Sequence, residues 1–360
     1  MKLEIPVSIP KVAIIGAGLA GLAGLYAAYR LHQRGIQFEI FEARSRVGGR
    51  ILSTNEGGFD LGSSCYWPET QSNMESLLSE LQLKSIEQYA TGVGLHERWV
   101  GNIVRQESCA SSNAAMRIQG GSFSLIKALT DLLPENKIHL GVELKSAQGG
   151  IGGVSLTLSL GGGRFVEKQC SQLWLALPPQ LANKIHFVPE LKIEEREKLA
   201  SVPTCMAGHA KYVARYEFPF WRNDGLSGDA YSTIGPLGEV HDASHQQGEA
   251  ALFGFLGIGP HVRHMTDELT LKSLCRDQLV RLFGEKAARL VDDSIHDWSA
   301  DPLTATEADQ FPPTWYGAYD VPQIFEADWR ERLVLVGSEA AGDQGGYMEG
   351  ALLAVNAALN

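Results

Sequence analysis

A glycine-rich turn between a predicted strand and a predicted helix constrains this chain more than any other feature. Residues 11–15 form a short apolar run, which predicts a buried strand. Residues 20–32 are good helix formers, and Gly35 predicts the end of that helix. The turn between them has G-x-G-x-x-G spacing, with glycines at Gly16, Gly18 and Gly21.

The residues after the helix complete a strand–helix–strand unit. Residues 36–41 predict a second strand that ends at Glu42, where a carboxylate can accept hydrogen bonds from ribose hydroxyls and would repel a 2′-phosphate. The first glycine permits a tight turn, the second lets the backbone approach a pyrophosphate, and the third lets the helix pack closely. The pattern predicts a Rossmann-like dinucleotide site but does not separate NAD from FAD. Its expected binding residues are Gly16, Ala17, Gly18, Gly21 and Glu42.

The charge and the cysteines exclude several classes of protein. The chain has 360 residues, and 31 Lys and Arg against 42 Asp and Glu give a net charge of −11. This balance argues against a broad surface for nucleic acid or for an anionic membrane. Five widely spaced cysteines without a C-x-x-C motif indicate neither a disulfide framework nor a zinc site. We expect a soluble cytoplasmic protein without a signal peptide or a membrane-spanning segment.

The remaining chain predicts further strands and helices, and only residues 91–117 stay undecided. The apolar runs that predict strands are 138–144, 154–160, 173–177, 211–216, 250–256 and 333–336. The segments with helical periodicity are 73–83, 123–133, 194–200, 270–283 and the stretch from Met348 onward. This order suggests a dinucleotide-binding domain that begins at the N-terminus, is interrupted, and is completed at the C-terminus.

The segment after the second strand separates FAD from NAD. Residues 42–50 read E-A-R-S-R-V-G-G-R and resemble the E-A-R-x-R-x-G-G-R signature of the flavin monoamine oxidase superfamily. Arg44 and Arg50 would supply fixed positive charge near phosphates. The paired glycines, which include Gly49, would let the chain pass close to the cofactor.

Four later segments resemble the same superfamily in the same order. Residues 60–71 are similar to its D-x-G-x-x-Y-x-x-P-T-Q loop beside the isoalloxazine ring, with one residue interposed before T-Q. Lys211 precedes P-F-W-R by eight positions, as the family's active-site lysine does. Trp298 resembles a tryptophan near the flavin. Residues 336–339 (V-G-S-E) and 346–351 (G-Y-M-E-G-A) resemble the closing motif.

The resemblance implies the fold class and the domain organisation. We expect an α/β protein of the GR2 flavoprotein type, in which a Rossmann-like FAD-binding domain carries an inserted α+β substrate-binding domain. The FAD-binding domain would comprise residues 1–76, 117–200 and 310–360. The substrate-binding domain would comprise residues 77–116 and 201–309.

The resemblance also implies the roles of individual residues. Lys211 would hold a water near flavin N5, and Tyr347 would form one wall of an aromatic cage around the amine; these are the expected catalytic residues. Glu339 would bind the ribityl region, the backbone of Met348 would face the pyrimidine end of the flavin, and the strand around Leu144 would contact adenine. The expected cofactor-binding residues are Gly16, Ala17, Gly18, Gly21, Glu42, Arg44, Gly49, Arg50, Gly62, Ser63, Ser64, Leu144, Trp298, Gly337, Ser338, Glu339, Gly346 and Met348.

Two departures from the family pattern qualify these expectations. Residues 303–310 contain neither the cysteine nor the second cage aromatic of the family, so we expect FAD to be noncovalent and the cage to be incomplete. Trp315, Tyr316 and Trp67 are candidates for the missing aromatic. Residues 91–120 stand where the family usually has a larger helical insertion, which predicts a short lid over the site.

The leading functional expectation is FAD-dependent oxidation of a small-molecule amine. A hydride would pass from the α-carbon to flavin N5, the imine would be hydrolysed to a carbonyl compound, and O₂ or another acceptor would reoxidise the flavin. A desaturase or isomerase of an apolar substrate, of carotenoid or porphyrinogen type, stays open, as does a noncatalytic FAD-binding protein. A homodimer also stays open. No metal is expected, because the pairs His241/His245 and His261/His264 lack Cys or carboxylate partners at motif spacing.

Overall fold

The computed structural model describes residues 11–17, 19–107, 115–245, 250–311, 319, 321 and 325–360. Gly18 and two of the candidate cage aromatics, Trp315 and Tyr316, lie outside these residues.

The strands and helices of the described residues alternate along the chain. In chain order the strands are β1 (Val12–Ile15), β2 (Phe38–Glu42), β3 (Cys65–Tyr66), β4 (Ser85–Glu87), β5 (Val93–Trp99), β6 (Asn102–Glu107), β7 (Met116–Ile118), β8 (Ile138–Leu140), β9 (Glu143–Gly150), β10 (Gly153–Ser159), β11 (Phe165–Cys170), β12 (Gln172–Leu175), β13 (His186–Val188), β14 (Ala210–Tyr216), β15 (Leu226–Ser232), β16 (Leu237–Asp242), β17 (Ala250–Leu256), β18 (Asp292–Asp297) and β19 (Leu333–Leu335). The α-helices are α1 (Leu19–Gln33), α2 (Ser72–Glu80), α3 (Phe123–Asp131), α4 (Pro179–Ala182), α5 (Ile193–Ser201), α6 (Phe220–Asn223), α7 (Pro260–His264), α8 (Glu268–Phe283) and α9 (Met348–Ala358).

The chain divides into two compact units. The first comprises Met1–Gly49, Ile126–Cys205 and Trp315–Asn360, and the second comprises Arg50–Leu125 and Met206–Thr314. The sequence assigned residues 50–76 and 117–125 to the FAD-binding domain, whereas these residues pack within the second unit. Compactness does not test which residues touch a cofactor, so the predicted domain limits stay a prediction.

The first unit contains a parallel sheet with the strand order β19-β12-β1-β2-β8. Its central strands are buried apolar runs, as expected of a parallel sheet covered on both faces. Helix α1 connects β1 to β2, and Gly35, two residues after its last residue, has a φ of +66°, the left-handed conformation that glycine favours. Tyr26 of α1 donates a hydrogen bond to Asn356 of α9 at 3.0 Å, so these two helices are neighbours.

A second sheet of the first unit has the order β11-β10-β9-β13 and is antiparallel except where β13 pairs with β9. Its apolar side chains join those of the parallel sheet in one buried cluster that includes Ile15, Leu144, Leu156 and Leu175. The first unit therefore has the predicted Rossmann-like core with an added antiparallel sheet.

The second unit is built on a seven-stranded sheet with the order β18-β14-β17-β16-β15-β5-β6. A small sheet, β3-β7-β4, accompanies it. Alternate residues of β14 face opposite sides: Tyr212 and Ala214 belong to a core cluster that α8 joins through Leu279, whereas Val213 packs with Phe59 on the other face. Lys211 has the same parity as Val213 and lies on that second face.

The structure confirms the α/β fold class and resolves the undecided segment. Within residues 91–117, the structure describes 91–107 and 115–117. These residues contain β5, β6 and the first part of β7. Strands β11, β13, β15, β16 and β18 were not predicted, because their mixed polar and apolar residues lack a sustained apolar run. No helix in the described segments is both long and apolar enough to cross a membrane.

Candidate active site

The turn after β1 is as tight as the glycine spacing predicts. Gly16 has a φ of +104°, and a Cβ there would lie 2.4 Å from the carbonyl oxygen of Ala176. A Cβ on Gly24 of α1 would lie 2.0 Å from the carbonyl oxygen of Gly16. The sequence assigned close helix packing to Gly21, which lies in α1 but whose surroundings are outside the described part of the chain. Gly24 was missed, although its spacing of three residues from Gly21 was a usable signal.

Glu42 joins the end of β2 to this turn. Its buried carboxylate accepts the N–H of Ala17 at 2.6 Å and the N–H of Arg44 at 2.8 Å. The Arg44 guanidinium lies 3.7 Å from the same carboxylate. Each carboxylate oxygen has a second lone pair, so Glu42 can also accept a hydrogen bond from a ribose hydroxyl. Gly49 has a φ of +50°, and its carbonyl accepts a hydrogen bond from Arg46 at 2.9 Å.

The closing motif packs tightly within the first unit. A Cβ on Gly337 would lie 2.7 Å from the carbonyl oxygen of Leu177, and one on Gly346 would lie 2.5 Å from the Cβ of Cys205. Ser338 donates a hydrogen bond to the carboxylate of Glu339 at 2.8 Å, and both side chains are fully buried.

The start of α9 has the polarity that the motif predicts. Met348 is its first residue and is buried, and the first turn offers backbone N–H groups without helical partners. Tyr347 precedes the helix, and 46% of the residue's surface is exposed. Glu349, to which the sequence assigned no role, is buried in the first turn. Leu144 lies in the hydrophobic core, so a contact between this residue and adenine would have to come from its backbone.

Lys211 is a buried lysine of the second unit, and only 1% of it is exposed. Its Nζ donates to the carbonyl oxygen of Gly62 at 3.2 Å and to Oγ of Ser64. The same nitrogen lies 4.1 Å from the centroid of the Phe253 ring and 5.4 Å from that of Phe255. The predicted lysine is therefore held in a polar and aromatic niche and does not lie on the surface.

Burial determines the titration of Lys211 and of its neighbours. Burial lowers the pKa of Lys211 to about 8, although the negative charge of Asp60 acts in the opposite direction. Burial raises the pKa of Asp60, which accepts hydrogen bonds from Ser53 at 2.7 Å and from the backbone of Ser122 at 2.8 Å. Burial also raises the pKa of Cys65, so this thiol is not activated.

The loop that faces Lys211 is fixed from the other side by Trp298. The indole Nε1 of Trp298 donates to the carbonyl oxygen of Leu61 at 3.0 Å. A Cβ on Gly62 would lie 1.8 Å from the carbonyl oxygen of Arg50 and 3.2 Å from the Trp298 ring. The N–H of Ser63 donates to the same Arg50 carbonyl at 3.3 Å. Five of the predicted cofactor-binding residues thus meet around Lys211 in the second unit: Arg50, Gly62, Ser63, Ser64 and Trp298.

His241 has carboxylate partners that the sequence spacing did not indicate. Its Nδ1 lies 2.9 Å from Asp229 and its Nε2 lies 3.6 Å from Glu239. Burial lowers the pKa of His241, but the two carboxylates outweigh it and raise the pKa to about 9. Within the described residues, no group of three or more His, Cys, Asp and Glu side chains is arranged to hold a metal ion.

Comparison with known protein families now decides the assignment. Residues 86–358 match the model of the flavin containing amine oxidoreductases, and residues 14–81 match that of an NAD(P)-binding Rossmann-like domain. The chain belongs to the flavin-containing amine oxidoreductase family. It is therefore an oxidoreductase of the flavin amine oxidase type, which confirms the family and the enzyme class predicted from the motifs.

Individual relatives of this flavin amine oxidoreductase align over nearly its whole length. A probable flavin-containing monoamine oxidase A of Dictyostelium discoideum is 22% identical over 451 residues, which cover 95% of this chain and 94% of the relative. The solved structure of a putrescine oxidase triple mutant superposes with a TM-score of 0.78 at 19% identity, covering 97% of this chain and 98% of that one. Cyclohexylamine oxidase from Brevibacterium oxydans gives a TM-score of 0.76 at 20% identity, with the same coverage. The structural matches support the fold.

Proposed function

We propose that this protein oxidises a small-molecule amine with noncovalently bound FAD. The observation that carries this proposal is the niche of Lys211, a buried amine held by Gly62 and Ser64 on the loop that resembles the family's flavin-side loop. Structural relatives that act on putrescine and cyclohexylamine support an amine as the substrate.

The residues of the first unit fit FAD. Gly16 leaves no room for a side chain in the turn after β1, and the buried Glu42 carboxylate lies at the end of β2. These features suit the ADP part, which Ala17, Arg44 and Gly49 would also contact. The N-terminal turn of α9 and the buried Glu339 suit the flavin end. Residues 303–310 contain no cysteine, so the attachment would be noncovalent.

When bound, FAD would supply the redox chemistry by accepting a hydride from the α-carbon of a neutral amine, and water would hydrolyse the resulting imine to a carbonyl compound. Lys211 loses its proton near pH 8, so above that pH its Nζ has a lone pair that can accept a proton or hold a water. The rings of Phe253 and Phe255 lie beside this nitrogen and form the apolar side of its niche. Tyr347 would form one aromatic wall for the amine.

Two measurements test the proposal in order. The absorption spectrum of the purified protein should show flavin bands, and acid precipitation should move them into the supernatant as FAD. The flavin-loaded protein is then mixed anaerobically with a panel of primary and secondary amines, and at least one of them should bleach the flavin and yield a carbonyl compound.

Flavin that stays in the acid pellet would contradict the noncovalent attachment. Flavin that dithionite reduces but no amine reduces would contradict amine oxidation. That result would favour the alternatives left open by the sequence, a desaturase or isomerase of an apolar substrate or a noncatalytic flavoprotein.

A further inference from the structure

His209 lies immediately before β14, on the face of the large sheet that carries Lys211. The pairing of β14 with β18 continues past the strand, because the N–H of Trp298 donates to the carbonyl oxygen of His209 at 3.0 Å. Directly paired residues share a face of a sheet, and so do residues two positions apart in a strand. His209 therefore shares its face with Lys211 and Trp298, the two side chains that hold the predicted flavin-side loop.

The turn before β14 holds the backbone of His209 in place. The N–H of His209 donates to the carbonyl oxygen of Met206 at 3.0 Å. Met206 has a φ of +61°, a left-handed conformation that residues other than glycine rarely adopt. Such a conformation persists only where the surrounding structure holds it, and it is found most often near functional sites. Hydrogen bonds on both sides thus fix the start of the imidazole side chain.

The imidazole ring of His209 reaches the aromatic side of the Lys211 niche. It lies edge-on to Phe255, with 6.4 Å between the ring centroids, and the same Phe255 ring lies 5.4 Å from Lys211 Nζ. Nδ1 of His209 is buried without a hydrogen-bond partner among the described residues. Buried polar atoms nearly always have a partner, so this exception calls for an explanation. The residue as a whole is only half-buried, and Nε2 is the ring nitrogen farther from the backbone, so Nε2 is the atom that a ligand would meet.

The imidazole is neutral at pH 7 and above. Burial lowers the pKa of His209 and the positive charge of Arg263 lowers it further, whereas Glu239 acts in the opposite direction. One nitrogen of a neutral imidazole donates a hydrogen bond and the other accepts one. Because no hydrogen bond to Nδ1 sets the tautomer, Nε2 can be the acceptor.

A neutral acceptor suits the amine that reacts. The lone pair of the amine nitrogen must be available when the α-carbon loses hydride, so the reacting amine is neutral and can be held through its N–H bonds. A carboxylate in this position would stabilise the ammonium form, which has no lone pair. A neutral imidazole can accept an N–H without adding the negative charge that favours the ammonium form.

We propose that His209 is a specificity-determining residue whose Nε2 accepts a hydrogen bond from an N–H of the reacting amine. The preferred substrates would then be primary and secondary amines. A neutral tertiary amine has no N–H and would lack this contact. This inference rests on the proposed amine oxidation, and it names the substrate class of that reaction.

The test compares amines that differ only in N-methylation, on the flavin-loaded protein. The primary amine that reduces the wild-type flavin fastest is compared with its N-methyl and N,N-dimethyl derivatives, and kcat/KM is expressed per neutral amine. In wild type, kcat/KM should be about tenfold lower or more for the tertiary amine than for the other two. His209→Leu should lower kcat/KM about tenfold for the primary and secondary amines and leave the tertiary amine unchanged.

Two further variants separate the hydrogen bond from the volume of the ring. His209→Gln keeps an acceptor that can reach the position of Nε2, and it should recover most of the loss. His261→Leu is the control, because His261 is an exposed histidine of α7 in the same unit, and this variant should behave as wild type. Binding of a tert-alkylamine, which has no α-hydrogen and cannot be oxidised, is followed by the perturbation of the flavin spectrum. Among these three variants it should weaken only in His209→Leu.

The outcomes distinguish the inference from the function on which it rests. If no amine reduces the wild-type flavin, the proposed function fails. If wild type oxidises amines but does not discriminate against the tertiary amine, or if His209→Leu lowers kcat/KM equally for all three amines, the function stands and the role of His209 is refuted. A loss that His209→Gln does not recover, or unchanged binding of the tert-alkylamine in His209→Leu, would refute it as well.

Discussion

The turn after β1 and the niche of Lys211 are two candidate binding regions that are shaped by different kinds of contact. The turn in the first unit works through the backbone: Gly16 and Gly24 have no side chain because neighbouring carbonyls occupy that space. The niche in the second unit works through side chains, since Lys211 is held by Ser64 and two phenylalanine rings. Both arrangements join residues far apart in the chain: Gly16 lies against Ala176, 160 positions away, and Lys211 bonds residues about 150 positions away.

The two regions should therefore respond differently to substitution. Substitutions in the turn should act mainly on folding and on retention of the cofactor. Substitutions in the niche should act mainly on the pKa of Lys211 and on the reaction rate. Burial removes water from the Lys211 ammonium group, and the neighbouring groups replace that hydration only in part. Substitutions at Gly16, Lys211 and Trp298 test this contrast.

The largest effect is expected for Gly16→Ala. The new Cβ would lie 2.4 Å from a backbone oxygen at a φ of +104°, which should lower the free energy of unfolding by about 4 kcal/mol and reduce flavin content. Gly35→Ala is the control, because its φ is +66° but its Cβ would meet no atom within 4 Å. It should cost about 1 kcal/mol and leave flavin content unchanged. If urea denaturation gives the same loss of unfolding free energy for Gly16→Ala and Gly35→Ala, the close contact at Gly16 is unimportant.

A smaller effect is expected in the pH dependence of stability through Lys211. Burial lowers its pKa to about 8 in the folded state, from an ordinary value of 10.5 that applies when the chain is unfolded. The unfolded state binds more protons between these values, so the free energy of unfolding should rise with pH across that window. Wild type should gain about 3 kcal/mol more than Lys211→Met between pH 8 and 10.5.

The control for this pH dependence of the unfolding free energy is Lys184→Met, which removes an exposed lysine of the first unit. It should show the wild-type slope in chemical denaturation at a series of pH values. If Lys211→Met keeps the wild-type slope too, Lys211 is solvated in the folded protein.

The smallest effect is expected for Trp298→Phe. It removes the indole donor that bonds the carbonyl oxygen of Leu61 at 3.0 Å, and should lower the free energy of unfolding by about 1 kcal/mol. Trp99→Phe is the matched control, since Trp99 is 69% exposed on β5 and its replacement should be neutral. A thermal shift of equal size for the two variants would contradict the role of this bond in fixing the loop.

Sequence reasoning succeeded where the evidence is local. The strand, helix and strand around Gly16 were predicted to within about two residues, because apolar periodicity and a terminal glycine act over short distances. Lys211 was found through its spacing to P-F-W-R, although its burial needs the folded sheet. The role of each predicted site residue, the cytoplasmic location and the homodimer stay predictions.

The strand pairing that places Lys211, Phe255 and Glu239 side by side across the large sheet could not be predicted. It depends on the register of β14, β17, β16 and β15, and β15 and β16 are too polar to be recognised as strands. The alternation of Glu239 and His241 was a weak signal that both lie on one face of a strand. His241 nevertheless met Asp229, twelve positions earlier, only through strand pairing.

The most direct test of the account is the anaerobic reaction of the flavin-loaded protein with an oxidisable amine, for wild type and for Lys211→Met. Stopped-flow absorbance gives the rates of flavin reduction and of its later reoxidation by O₂. We predict equal flavin content in the two proteins and a loss of about 100-fold in at least one of these rates in the variant. Equal rates for both half-reactions would contradict a catalytic Lys211, and a wild-type flavin that no amine reduces would contradict the proposed function itself.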